Sequence, residues 1–242
     1  MRDGAAIAYC GPAALPGDLL TRWNVDPLLL AALLAFAVMI ARGRVTNARA
    51  GWAALALMAV IFVSPLCALA SALFSARVLH HVLLIAAVAP LLVLALPMRR
   101  WPLQPLAALV GFHMIILWVW HMPGPYEWGL GSVPSYWLMQ ASLLGSAWLL
   151  WRAILSPAGH PGLALLALVA TVGQMGLLGA IIVFTPRPLY AAHFISTAAW
   201  GMSPLADQQL GGLLMWAPAM LPYLVVGLWL TWSSLRPVER TA

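Results

Sequence analysis

Histidine, methionine and one carboxylate gather toward one end of the apolar stretches of this chain. His80 and His81 stand side by side where an apolar run begins. His121 closes another run within Trp118-Val119-Trp120-His121-Met122-Pro123. Asp207-Gln208-Gln209-Leu210-Gly211-Gly212-Leu213-Leu214-Met215-Trp216 opens the last one. Met215 follows Asp207 by two helical turns and about 80° of rotation, so both can border one cavity. Imidazole with thioether sulfur favours copper, above all Cu(I), whereas imidazole with carboxylate also suits zinc or iron. Cys67, Met122, Met139 and Met202 add sulfur in the same half. Each residue has a plainer reading. His80 and His81 can meet lipid headgroups, Asp207 can cap a helix, and methionine fills apolar cores. No Ser/His/Asp arrangement, HExxH, GxGxxG or CxxC occurs, so the sequence reads as non-enzymatic.

The elements that must hold these residues are membrane helices. Of 242 residues 64% are apolar and 7% charged, against roughly 45–50% apolar in soluble domains. About 20 apolar residues span a bilayer as a helix. The runs are continuous rather than alternating, which selects helices over a barrel. Seven spans are expected, at about 25–41, 51–72, 79–97, 104–121, 135–152, 162–184 and 207–232. The fold class is thus all-α: one seven-helix membrane domain over 1–242, with an outer segment 1–24, a bundle 25–232 and a cytoplasmic tail 233–242.

Arginine sets the orientation, and the chain has no lysine. Arg42, Arg44, Arg49, Arg99, Arg100, Arg152, Arg236 and Arg240 fall on one side; Arg2, Arg22, Arg77 and Arg187 fall on the other. The positive-inside rule then puts the N-terminus outside and the C-terminus in the cytoplasm. The charge of +6 is therefore topology and lipid contact, with no nucleic acid as partner. His80, His81, His121, His193 and Asp207 all fall outside. His160 falls in a cytoplasmic loop. His113, about 12 Å deeper than His121, is either functional by virtue of its depth or a neutral histidine bonded to a neighbouring helix. Met1–Gly17 lacks the apolar core of a signal peptide. Cys10 and Cys67 both lie on the oxidising side; whether they meet depends on how deep Cys67 sits in the second span.

Three segments resemble the CtaG (caa3-type) family of cytochrome c oxidase assembly factors, over about residues 50–232. The first is His80-His81-Val82-Leu83-Leu84 with Ala89-Pro90-Leu91-Leu92 and Leu96-Pro97; the second is Trp120-His121-Met122-Pro123 with Tyr126. The third and most specific is Pro188-Leu189-Tyr190 with Asp207-Gln208-Gln209 and Gly212-Leu213-Leu214-Met215-Trp216. The resemblance implies a seven-helix protein of the bacterial inner membrane that matures a haem–copper oxidase, by copper delivery. It puts His81, His121, Asp207 and Met215 at the family's positions, with His80 beside them. The family's second histidine, one turn before His81, is replaced here by Arg77. The implied cargo is copper as Cu(I); the implied partners are membrane lipid, an apo cytochrome c oxidase subunit and a periplasmic copper carrier. A haem-binding redox protein, a metal-free scaffold and a copper transporter are the alternatives. Haem needs histidines at facing depth, which His113 alone approaches. A transporter needs ligands on both faces.

Overall fold

The computed structural model describes residues 9–96, 105–156 and 159–235, and every regular element among them is helical. Local chemistry starts most helices. Asp26 accepts amide hydrogen bonds from Leu28 and Leu29 at the head of α1 (Pro27–Ala41), with Pro27 in the first turn. Asn47 caps α2 (Ala48–Phe62) through the amide of Ala50. Ser64-Pro65 ends α2, and α3 (Leu66–Ala72) leaves at 43°. Extended backbone at Leu73 separates α3 from α4 (Phe74–Leu83). A π-helical turn, Leu84–Val88, joins α4 to α5 (Ala89–Ala95). Pro90 lacks the amide that an α-helix would need there, and the backbone widens just before it. The carbonyl of Ile85 accepts the indole N–H of Trp151 instead, at 2.9 Å.

Met122-Pro123 bends the chain by 76° between α6 (Leu106–His121) and α7 (Pro123–Leu130). Ser132 caps α8 (Val133–Ile154), and α9 (Pro161–Phe184) follows. Ser203 caps α10 (Pro204–Trp216), which α11 (Met220–Leu235) extends.

By length and composition three segments can cross a membrane: Phe74–Ala95, Pro161–Phe184 and Pro204–Leu235. Counting each bent pair as one span raises this to five. Helices lie on all seven expected stretches, yet α1 has only 15 residues, and the polar residues of α8 lower its hydropathy. The expected count of seven is therefore reduced to three to five by these criteria.

One end of the bundle collects the start of α1, the end of α2, and the starts of α4, α8 and α10 with the ends of α6 and α9. Asn24 ties the first of these together: its amide N–H donates to the carbonyl of Val63 and its side chain to that of Phe62. Cys10 and Cys67 form a disulfide at this end, which answers the question of depth. At the other end the amide and hydroxyl of Thr46 donate to the carbonyl of Ala95. Arg42, Arg44, Arg49 and Arg152 belong to that end, while Arg2, Arg99, Arg100, Arg236 and Arg240 lie outside the described residues. Helices α9 and α10 cross closely. A Cβ on Gly212 would stand 2.7 Å from the carbonyl oxygen of Gly179, so glycine is required for the approach.

Candidate functional site

The site is built on the first turns of α4. Its opening amides have no intrahelical acceptor, and Asp207 of α10 supplies one. The amides of Phe74 and Ser75 donate to Asp207 Oδ2 and Oδ1 at 2.7 and 3.1 Å, and the Ser75 hydroxyl also donates to Oδ1. Asp207 is fully buried and caps a helix 133 residues earlier in the chain rather than its own. Its oxygens are thereby turned onto α4.

Gln208 and Gln209 close the other side of the joint. Gln208 accepts from the amide of Leu189 at 2.7 Å and donates to the carbonyls of Ile182 and Arg187. Gln209 donates to the carbonyl of Val183. The carbonyls of Ile182 and Val183 are at the end of α9, where helical partners run out, and that of Arg187 is in the connection that follows. The Asp-Gln-Gln run thus locks three chain segments: α4, α9 and the 185–203 connection.

Because α4 begins at Phe74, Arg77, His80 and His81 lie inside the helix, all fully or nearly fully buried. Arg77 is thus inside a helix rather than in an outer loop, which corrects one expectation, and of the two readings of His80 and His81 burial disfavours contact with headgroups. The two rings diverge. His80 packs edge-on to Phe62 of α2, with centroids 5.0 Å apart. His81 points toward α6 and α8. Its ring centroid is 5.9 Å from that of His121, and Gln140 Nε2 donates to its Nε2 at 3.3 Å. His121 donates from Nδ1 to the carbonyl of Leu117, which directs Nε2 outward from its own helix. Both ring nitrogens of His80 and Nδ1 of His81 have no hydrogen-bond partner.

A second layer covers this group. Tyr126 of α7 bonds to Nε2 of His193 at 2.7 Å, and Tyr190 donates to the carbonyl of His121 at 2.8 Å. Phe74 stacks on Tyr190, with centroids 3.8 Å apart. His193 lies in the connection after α9, as the sequence implied, and is buried there. Burial, aided by the charge of Arg77, lowers its pKa from the usual 6.5 to about 4.

Met215 is buried on α10, where its Cβ lies near Gly179 of α9. His113 bonds to the hydroxyl of Ser146 on α8 at 2.9 Å, matching the plainer of its two readings. His160 is exposed. An apolar groove of about 600 Å³ runs between α1, α2, α5 and α8; its wall includes Phe62, Trp137 and Gln140.

Geometry therefore brings together His80, His81 and His121. It assigns Asp207 to a backbone cap and Met215 to the contact between α9 and α10. Among the described residues no three His, Cys, Asp or Glu side chains are grouped to hold a metal ion. Sequence reasoning did not select Arg77, Gln140 or His193 as part of the site. Gln140 carried a usable signal, as the only amide side chain within its span.

These features define an all-helical membrane protein with a buried, histidine-lined polar cluster at one end of its bundle. A family model for the cytochrome c oxidase caa3 assembly factor matches residues 30–237, and the chain belongs to that family. No curated protein and no solved structure gives a match.

Proposed function

We propose that this protein serves oxidase maturation by holding copper, as Cu(I), between His81 and His121 and passing it to an apo-oxidase subunit. A periplasmic carrier supplies the ion. The observation that carries this reading is the spacing of the two rings. An imidazole nitrogen lies about 2.0 Å from its metal and the ring centroid roughly 1.1 Å further back, so two rings on one ion have centroids roughly 5.2–6.3 Å apart. The value of 5.9 Å falls in that range. His80 is the third imidazole, 5.8 Å from His81 by centroids, and the unprotonated nitrogen of its ring can take the ion during transfer. Two ligands suit a cargo that must leave again.

In this reading the chain is a multi-pass protein of the bacterial inner membrane, crossing seven times. The N-terminus lies outside and the C-terminus in the cytoplasm. Two features support the orientation. Arg42, Arg44, Arg49 and Arg152 mark the inner end. The Cys10–Cys67 disulfide marks the oxidising side, at the end that carries the histidines.

The test is copper content of detergent-purified protein after reconstitution with Cu(I), beside a His81→Ala/His121→Ala variant. About one copper per chain, lost in the variant, is expected. No copper in either, or equal copper in both, refutes the two-histidine site. Asp207 is best left intact in that experiment, since its loss would uncap α4. The metal-free scaffold is favoured by one observation, the full engagement of Asp207, Gln208 and Gln209 in backbone hydrogen bonds. On that reading the double variant still supports oxidase assembly.

A further inference from the structure

Arg77 is a buried cation with no carboxylate among the described residues in ion-pair contact. It is 0% exposed. Only Nε has a partner, the carbonyl of Ala70 at 3.1 Å; Nη1 and Nη2 have none. Among the described residues the one ion pair joins Arg22 to Asp18, far along the chain from Arg77. Asp207, the buried carboxylate at this end, already accepts three hydrogen bonds from Phe74 and Ser75.

The other neighbours of the guanidinium offer no negative charge. Its Cζ lies 5.3 Å from the ring centroid of Tyr136, and the neutral side chains of Tyr136 and Tyr126 approach the guanidinium without meeting hydrogen-bond geometry at Nη1 or Nη2. Stacking on one tyrosine does not offset removal of a full charge from water. Nearby segments hold further unpartnered hydroxyls, those of Ser71 beside Ala70 and of Thr197 next to Ser196, whose own hydroxyl donates to Ala72. A buried cation with two N–H-bearing nitrogens that have no acceptor is complementary to an anion.

We propose that Arg77 is the anchor of an anion site at the histidine-bearing end of the bundle, taking one small, singly charged ion of halide size. The burial selects the class. A single charge neutralises the guanidinium, whereas a divalent oxyanion would leave an excess negative charge in a dry site and lose far more hydration. This site is independent of copper: its ligand is the guanidinium, and it forms in metal-free protein.

The test uses the full chain in detergent with a copper chelator. Potassium gluconate is replaced stepwise by potassium bromide at constant ionic strength, and unfolding is followed by tryptophan fluorescence. A saturable rise in Tm of about 3–6 °C is expected at ten times the half-saturating bromide concentration. Sulfate at the same ionic strength gives no such rise. Arg77→Gln abolishes the response and Arg77→Lys retains it. Should Arg77→Gln fail to fold, halide released on acid denaturation of desalted wild-type protein decides, with about one per chain expected. A wild type that neither responds to bromide nor releases stoichiometric halide overturns the proposal. A bromide response that persists in Arg77→Gln overturns it equally.

Discussion

Replacing Asp207 by alanine separates two roles that the same carboxylate could play. In the structure it accepts from the Phe74 amide, the Ser75 amide and the Ser75 hydroxyl, all buried. Alanine strands these three donors. Each stranded donor costs about 1–3 kcal/mol, and the lost charge at the head of α4 about 0.3–2 kcal/mol. Against this stands relief from burying a carboxylate, and the Ser75 hydroxyl can rotate to another acceptor. A net loss of about 3–5 kcal/mol follows, the usual range when one partner of a buried charged contact is removed. For a chain of this size that lowers Tm by roughly 6–20 °C. Asp207→Asn keeps one acceptor oxygen and should lose about half as much. The assay is thermal unfolding in detergent, read by tryptophan fluorescence with and without Cu(I). If Asp207→Ala unfolds within 1 °C of wild type yet no longer binds copper, the carboxylate is a metal ligand and the capping argument fails.

Two further outcomes are expected. Gly212→Ala places a methyl carbon 2.6 Å from Val183 Cγ2 and 2.7 Å from the Gly179 carbonyl oxygen, forcing α9 and α10 apart at a cost of at least about 1–3 kcal/mol. Gly173→Ala, with open space around its Cβ, serves as the control, and equal Tm values for the two variants would contradict the close crossing. His193 is held neutral by burial, with a pKa near 4 against an ordinary 6.5, so the unfolded chain binds the extra proton between these values. Its contribution, up to about 3 kcal/mol, is complete above pH 6.5, falls as pH drops from 6.5 to 4, and is flat below that. The difference in Tm between wild type and His193→Gln should show that window; a difference independent of pH from 4 to 8 would refute it.

The apolar runs made the helical class legible, and the resemblance of the Asp-Gln-Gln segment made the family legible. The histidines of α4 and α6 were found because ionisable residues are rare in such runs. What stayed hidden was depth. Arg77 looked like a loop residue because a charge beside an apolar run normally marks its boundary, whereas α4 starts three residues before it at Phe74. That early start depends on Asp207, and no local pattern reports a cap supplied from 133 residues away. The burial of His193 was hidden for a related reason: it lies in the 185–203 connection as expected, and its cover comes from Tyr126 and Phe74 on other elements. Asp207 carried both a ligand and a capping reading at the sequence level, and only the position of α4 told which donors it meets.

The cap on α4 also orders events during synthesis. Phe74 and Ser75 leave the ribosome 132–133 residues ahead of Asp207, a delay of roughly 7–27 s at about 5–20 residues per second. Throughout that interval the helix bearing His80 and His81 has an unsecured first turn, and His121 arrives partway through it. The histidine cluster is therefore a late product of biogenesis, completed by nearly the last helix to emerge. A chain truncated before Asp207 carries all three histidines and still lacks the clasp that sets their helix in place.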